Sequence, residues 1–449
     1  MHVDIWNFGF VFALACLCAL PLLPVFRMKS VDVFEPIFWA SAYFAVLFVL
    51  RPIYDLTLGS EFLGNTPFIL ETMGPFQLAL LYAFLGFSTF LFGYYSGTNR
   101  RLAKALPRIP NAWDVSIARK LSLVFVLIGF AAFAWTVLRF GGISGYLSNK
   151  AQTLTEAGQG YQLLGVSLIS IAFALRLALL RTFWSNVATY LVVFPSLLVI
   201  GLASGSKGAF LSPLLAWIVV SHYLRSRVRV STIGALVLFT ILLLPAFNLY
   251  RQIPDLLATS PDTIEAPADD AAVEFVIRHG MSRFYGIDSL AIIIRDTPEA
   301  MDFQLGRTIY PLFVAWIPRQ IWEDKPIISF GKIFAENYLG ASFSGTGISG
   351  SPTLLGEAYL NWHVAGMLLV TFLAGAVVRT LYVWLIIENF SPLSVFVYSQ
   401  IFLYLFTFWE ASIAGLLAER LAGLVILLLV VLLVGRTVQV SRPVAGQAS

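Results

Sequence analysis

Residues able to do chemistry gather in a few short patches of this 449-residue sequence. The stretch from Trp316 to Pro326 is the most pointed. Pro318 and Pro326 fix its backbone, Arg319 and Lys325 flank the acids Glu323 and Asp324, and Trp316 and Trp322 offer flat apolar faces. Fixed cations of this kind suit a phosphate, arginine through its planar fork and lysine as a point charge. Tryptophan faces suit sugar rings or a membrane interface. An interfacial turn whose charges neutralise one another accounts for the same residues. Residues 272–296 predict a helix, because Val273, Val276, Ile277, Phe284, Ile287, Leu290 and Ile294 recur at helical spacing. His279, Arg283 and Gly286 would share one face of it, suiting an anion pocket, with Arg278, Ser282, Tyr285 and Ser289 as an adjacent polar strip. A helix lying along a membrane surface is the alternative.

A second patch follows the Gly/Ser-rich loop Gly345 to Pro352. Glu357, Asn361 and Val364 fall at i, i+4 and i+7, one face of a helix heading an apolar run, with His363 beside them. A carboxylate at a membrane boundary is costly and is a functional candidate by default; an ion pair with Arg319 or Lys325 would satisfy it structurally. Lys207 sits in the small-residue element Ser204 to Gly208, before a helix start where backbone N–H groups favour anions. A snorkelling lysine has the same pattern. Glu410 with Arg420, and Arg51 with Asp55, either join a site or pair with each other. No Walker sequence, dinucleotide fingerprint, H-E-x-x-H, C-x-x-C, G-x-S-x-G or D-x-D occurs, so nucleotide energy, metal hydrolysis and serine acyl chemistry lack support. Cys16 and Cys18, two apart, do not face each other on a helix.

The elements that must position these groups belong to a very apolar chain. Hydrophobic residues make up 58% and charged ones 12%, against roughly 25% charged in soluble domains, and the mean hydropathy is +0.82. A soluble globular protein, a disordered chain and a nucleic-acid-binding module are excluded. An all-α polytopic membrane protein is expected, with about 11 transmembrane helices at 5–26, 34–54, 75–97, 121–140, 162–180, 186–203, 208–224, 232–250, 360–387, 393–413 and 420–435. The first is expected to be a retained helix, since Met1 to Asn7 holds no Lys or Arg. Alternate connections carry sixteen basic residues on one side and five on the other, which predicts the N-terminus outside and the C-terminus inside. The other eight of the 29 fall in the long external segment 251–359. Residues 1–250 thus form an N-terminal bundle of about eight spans, 251–359 a large helical loop bearing the site, and 360–449 the last spans and a cytoplasmic tail. So long a connection is uncommon unless it is functional.

Three patches resemble the Wzy-type family of bacterial O-antigen and oligosaccharide repeat-unit polymerases. They are Ser204 to Gly208; Pro318-Arg319 followed by Lys325-Pro326; and Ser351-Pro352 followed by Gly356-Glu357, Tyr359, Asn361 and Gly366. Many members of that family carry Arg where this chain has Lys207. The resemblance implies a membrane glycosyltransferase of GT-C-like type in the bacterial inner (plasma) membrane, with a periplasmic active site and no cofactor or metal. Its donor would be a glycan on undecaprenyl diphosphate and its acceptor a lipid-linked repeat unit, with a chain-length-regulating protein, a flippase and membrane lipids as partners, and no nucleic acid. A departing diphosphate gathers negative charge that fixed cations stabilise. Arg319 and Arg283 lead for that task, with Lys325, Lys207 and Arg278 behind. Glu357 and His279 compete as base, and Tyr285, Trp316, Trp322, Glu323, Asn361 and His363 would contact substrate. Three other functions stay open: an O-antigen ligase with the same donor, a lipid-linked oligosaccharide flippase or transporter, and a non-catalytic scaffold.

Overall fold

The computed structural model describes residues 5–24, 31–58, 73–148, 159–179, 183–204, 207–235, 284–315, 317, 321–322, 330–339 and 350–436. Their helices include α1 (Ile5–Ala19), α2 (Pro36–Ala45), α3 (Met73–Tyr94), α4 (Val115–Arg139), α5 (Gln159–Leu179), α6 (Phe194–Ala203), α7 (Lys207–Leu224), α8 (Gly286–Asp296), α9 (Thr353–Tyr382), α10 (Pro392–Ile401) and α11 (Ile413–Val434). Six helical stretches are long and apolar enough to cross a bilayer: Pro36–Tyr54, Gly74–Tyr94, Val115–Arg139, Asn186–Ala203, Thr353–Glu388 and Ile413–Val434. Shorter apolar helices at Asn7–Leu22, Leu163–Leu179, Gly208–Leu224 and Pro392–Thr407 coincide with other expected spans. Of the expected span 232–250, only 232–235 lies within the described residues. Phe92, Leu428 and Leu432 stand well exposed on these helices, which water would penalise and lipid tails do not. This is an all-α membrane protein.

Without a hydrophobic force between helices in lipid, close packing needs small residues at the contacts. On α3 and α9, any side chain at Gly93 would strike the Phe372 carbonyl, and one at Gly375 would strike that of Phe90. Thr89 and Thr371 meet across the same seam through a 2.7 Å hydroxyl contact. Gly129 of α4 and Gly165 of α5 make a second close seam. Asp114 caps α4 by accepting from the Ser116 and Ile117 N–H groups at 2.8 and 3.0 Å. The Ile117 bond is the main reason its carboxyl is held below the ordinary carboxylate range. A two-residue antiparallel ladder, Ala112–Trp113 against Gly435–Arg436, ties the start of α4 to the end of α11.

Helix α9 is not one rod. Trp362 (φ −141°, ψ 23°) and His363 (φ 58°, ψ −162°) interrupt it. Leu355 and Thr371 both lie within 4 Å of the position a side chain at Gly86 would take; on an unbroken helix these residues, sixteen apart, would stand about 24 Å from each other. Tyr359 sits on Tyr82, with ring centroids 5.7 Å apart. Thus 353–361 runs back along α3 from Gly86 to Tyr82, reverses at Trp362-His363, and returns as the long helix past Gly86, Thr89 and Tyr94. Gly366 is required at the reversal, because any side chain there would collide with Trp362. The expected single face of Glu357, Asn361 and Val364 therefore ends at Asn361: the break at Trp362-His363 separates Val364 from the other two.

Candidate functional site

The hairpin of α9 carries a buried polar hub. Glu357 is 0% exposed, and both of its carboxylate oxygens are occupied. Oε1 accepts from the Thr308 hydroxyl at 2.7 Å, and Oε2 accepts from the Ile413 backbone N–H at the start of α11. The Asn361 amide donates to Thr308 Oγ1 at 2.7 Å and to the Glu357 carbonyl at 2.9 Å. Its side-chain oxygen accepts from the Gly306 N–H at 2.7 Å. The turn is closed further by the Gln304 and Leu305 N–H groups, which donate to the Leu360 and Asn361 carbonyls at 2.9 and 3.2 Å. Leu305 (φ 47°) and Gly306 (φ 90°) take the left-handed conformations that bend this turn onto the hairpin. Burying a carboxylate is tolerable only when its acceptors are filled, and here a threonine, a helix N-terminus and a neighbouring asparagine network do so in place of a cation.

The far side of the same region joins several segments. The Tyr285 hydroxyl accepts from the Ser351 N–H at 3.1 Å, the Ser351 hydroxyl donates to the Glu410 carbonyl, and the Tyr43 hydroxyl donates to the Glu410 carboxylate. Arg51 Nε lies 3.4 Å from Asp288, with both side chains at most 8% exposed. A π-helical turn, Val46–Leu50, precedes Arg51; such turns often mark functional positions.

The tip of the hairpin, by contrast, is open. Trp362 is 40% exposed and His363 is also exposed. The His363 ring lies 5.3 Å from that of Phe303 and 5.2 Å from that of Tyr359. Arg307, next to the hub residue Thr308, is exposed as well, and among the described residues it has no carboxylate partner. Tyr310 and Phe313, in the short 3-10 helix Tyr310–Val314, expose 57% and 71% of their surfaces. The tip thus gathers a cation, an imidazole and aromatic faces at a solvent- or lipid-facing edge.

The sequence-selected residues divide cleanly. Glu357 and Asn361 meet in one network, His363 stands at its edge, Tyr285 lies at the Ser351 junction, and Trp322 is half-buried. Arg319, Arg283, His279, Arg278, Lys325, Trp316 and Glu323 lie outside the described residues, as does the side chain of Lys207. The expected helix over 272–296 is present at its end as α8, Gly286–Asp296, but is not continuous: Phe284 and Tyr285 are not helical, and 272–283 lie outside the described residues. From there Gly286 to Ile294 are all buried, so this part of the long segment belongs to the packed core. Glu410 and Arg420 do not pair with each other: Glu410 receives Tyr43, and the Arg420 guanidinium sits 4.2 Å over the Tyr404 ring. Thr308, Arg307 and Asp288 were not selected from sequence. Thr308 carries no local signal, and Asp288 is identified by Arg51, which is far away in the chain. Among the described residues no three His, Cys, Asp or Glu side chains cluster as metal ligands would.

Taken together, the helices and hub define an all-α membrane protein whose broken helix and long connection form one hydrogen-bonded unit. Residues 133–385 match the family model described as Domain of unknown function (DUF8712); this is more than half of the sequence, and the chain belongs to that family. The matched stretch runs from α4 to just beyond α9 and includes the hub turn and the hairpin. No curated protein and no solved structure matches the chain.

Proposed function

We propose that the protein is a membrane glycosyltransferase that joins oligosaccharide repeat units carried on undecaprenyl diphosphate into a surface polysaccharide. It would be a GT-C-like bundle of about 11 spans in the bacterial inner membrane, N-terminus out, working on the periplasmic side. The resemblance of three sequence patches to Wzy-type polymerases supports this function. The observation that carries it furthest is the hub. Glu357, Asn361 and Thr308 fasten the turn just upstream of Arg319 and Lys325 to a hairpin whose tip exposes His363, Trp362 and Arg307. An exposed cation, Arg307, beside an aromatic platform suits a diphosphate leaving group and a sugar ring together.

In the reaction, the bond between the anomeric carbon of the growing chain and its diphosphate breaks, and the diphosphate leaves with the electron pair. A hydroxyl of the incoming unit forms the new glycosidic bond and gives up its proton. Arg319, Arg283 and Lys325 would stabilise the leaving charge, with Arg307 added to that set. Glu357 has both oxygens filled, which fits a positioning role better than proton transfer. The proton then falls to a histidine, His279 or His363, and among the described residues His363 stands at an exposed aromatic platform. Reconstitution of the purified protein with lipid-linked repeat units tests the function. Laddered polymer is expected, and it should vanish in Arg319→Ala and Arg283→Ala at unchanged protein levels. Transfer to lipid A core in place of a ladder identifies a ligase, and no covalent product overturns the enzyme assignment.

A further inference from the structure

The opposite end of α9 carries a second polar construction, independent of the glycosyltransferase proposal. Asp32 lies at its centre. Oδ1 accepts from the Phe34 N–H at 3.0 Å and lies 3.3 Å from His222 Nε2. Oδ2 accepts from the Tyr223 and Tyr382 hydroxyls, both at 2.7 Å. Four donors fill this carboxylate, which leaves it little attraction for a further cation. His222 reads as a bridge. Its Nδ1 accepts from the Val228 N–H at 3.0 Å, so the ring proton belongs on Nε2, facing Asp32. The Val228 bond closes the chain leaving α7 into a turn, helped by the Arg225 and Ser226 N–H groups donating to the Ser221 carbonyl at 3.0 and 2.9 Å.

That turn lines a cavity of about 400 Å³, whose other walls are Asp32, His222, Tyr223, Ile386 and Phe390. Arg225, Ser226 and Arg227 face it with exposed side chains. Among the described residues neither arginine has a carboxylate partner. Arg225 rests over the Tyr190 ring at 5.8 Å, which orients its guanidinium without neutralising it. Two guanidinium groups and a hydroxyl, held on a turn whose nearest acid is already saturated, suit a phosphate. The cavity is larger than a bare phosphate needs, and Phe390, 54% exposed, gives it an apolar margin.

We propose that the Arg225–Ser226–Arg227 turn, set by the His222–Val228 bond, binds the phosphate of an anionic headgroup, with Ile386 and Phe390 against its apolar part. The phosphate belongs to an anionic phospholipid or to a soluble phosphate ester. His222 is a positioning residue: it shapes the turn that presents the two arginines.

The test uses the full chain in detergent, with bound lipid counted by native mass spectrometry during titration with phosphatidylglycerol or phosphatidylcholine. Saturable binding of one phosphatidylglycerol in preference to phosphatidylcholine is expected. Arg225→Ala/Arg227→Ala should weaken it roughly thirtyfold, from about fivefold per cation near a charged surface. Arg225→Lys/Arg227→Lys should fall between, because charge remains but the fork is lost. Arg101→Ala/Lys104→Ala, two exposed basic residues of the helix Asn99–Ala105, should leave binding unchanged. His222→Ala should weaken binding without removing a cation from the turn. Competition by glycerol 3-phosphate assigns the site to a soluble ester, and its failure to compete assigns it to lipid. Equal losses in the two double-alanine variants, or no loss in the Arg225/Arg227 pair at an unchanged melting temperature, overturn the site.

Discussion

The two ends of α9 bury carboxylates by different means. At the hairpin end, Glu357 is fully enclosed and satisfied by a threonine hydroxyl and a backbone N–H. At the other end, Glu35 receives the Arg379 guanidinium and the Tyr94 hydroxyl, the latter at 2.9 Å, while Asp32 takes two tyrosines, a histidine and a backbone N–H. Arg379 also lies over the Tyr94 and Tyr382 rings, at 5.2 and 5.5 Å. The Arg379 and Glu35 side chains are 27% and 22% exposed. The first end is a dry joint that fixes chain geometry; the second is a partly wet, charge-paired rim beside an open cavity. A buried acid with neutral donors fixes a fold, whereas the rim saturates its own acids and leaves the exposed Arg225 and Arg227 to meet a ligand.

Removing one member of each network should therefore have unequal costs. Glu357→Ala strips acceptors from Thr308 and from the Ile413 N–H inside a closed network, at about 3 kcal/mol or more; thermal unfolding in detergent should show a large loss, and Glu357→Gln a smaller one. A neutral outcome for Glu357→Ala would break the distinction between the two ends. Arg379→Ala leaves Glu35 with Tyr94 and with access to water, so about 1 kcal/mol is expected in the same assay. The smallest effect concerns pH. Burial pushes the Asp32 carboxyl up, but His222, Tyr223, Tyr382 and the Phe34 N–H outweigh it and hold it below its ordinary value. A depressed acid stabilises the fold above the unfolded value, near 3.9, and that contribution fades as pH falls through the lower folded value. Melting temperatures of Asp32→Asn and the unaltered protein should converge as pH drops from 6 to 3. A constant gap would remove the charged-acceptor role of Asp32.

The helical bundle was legible because periodic apolar runs of twenty residues have few alternatives in a bilayer. Glu357 and Asn361 were legible as a pair because they are four residues apart on one local helix. Their partner was not: Thr308 lies 49 residues before Glu357 and looks like any loop threonine. The same holds for Asp288, which finds Arg51, and for Asp32, which finds Tyr223 and Tyr382. Nor does apolar periodicity reveal a reversal. The run containing Trp362 and His363 reads as continuous helix until Gly86 is seen to touch both Leu355 and Thr371.

The sequence by itself determined that this chain lives in a membrane as helices, because hydropathy and period are local properties that a bilayer selects strongly. It also confined the chemically competent residues to a few patches. Only the tertiary structure decided which of them meet, that α9 folds back on itself, and that Glu357 is tied up while His363 and Arg307 remain exposed. Those outcomes depend on which distant donors fill a buried acceptor, and no spacing along the chain encodes that.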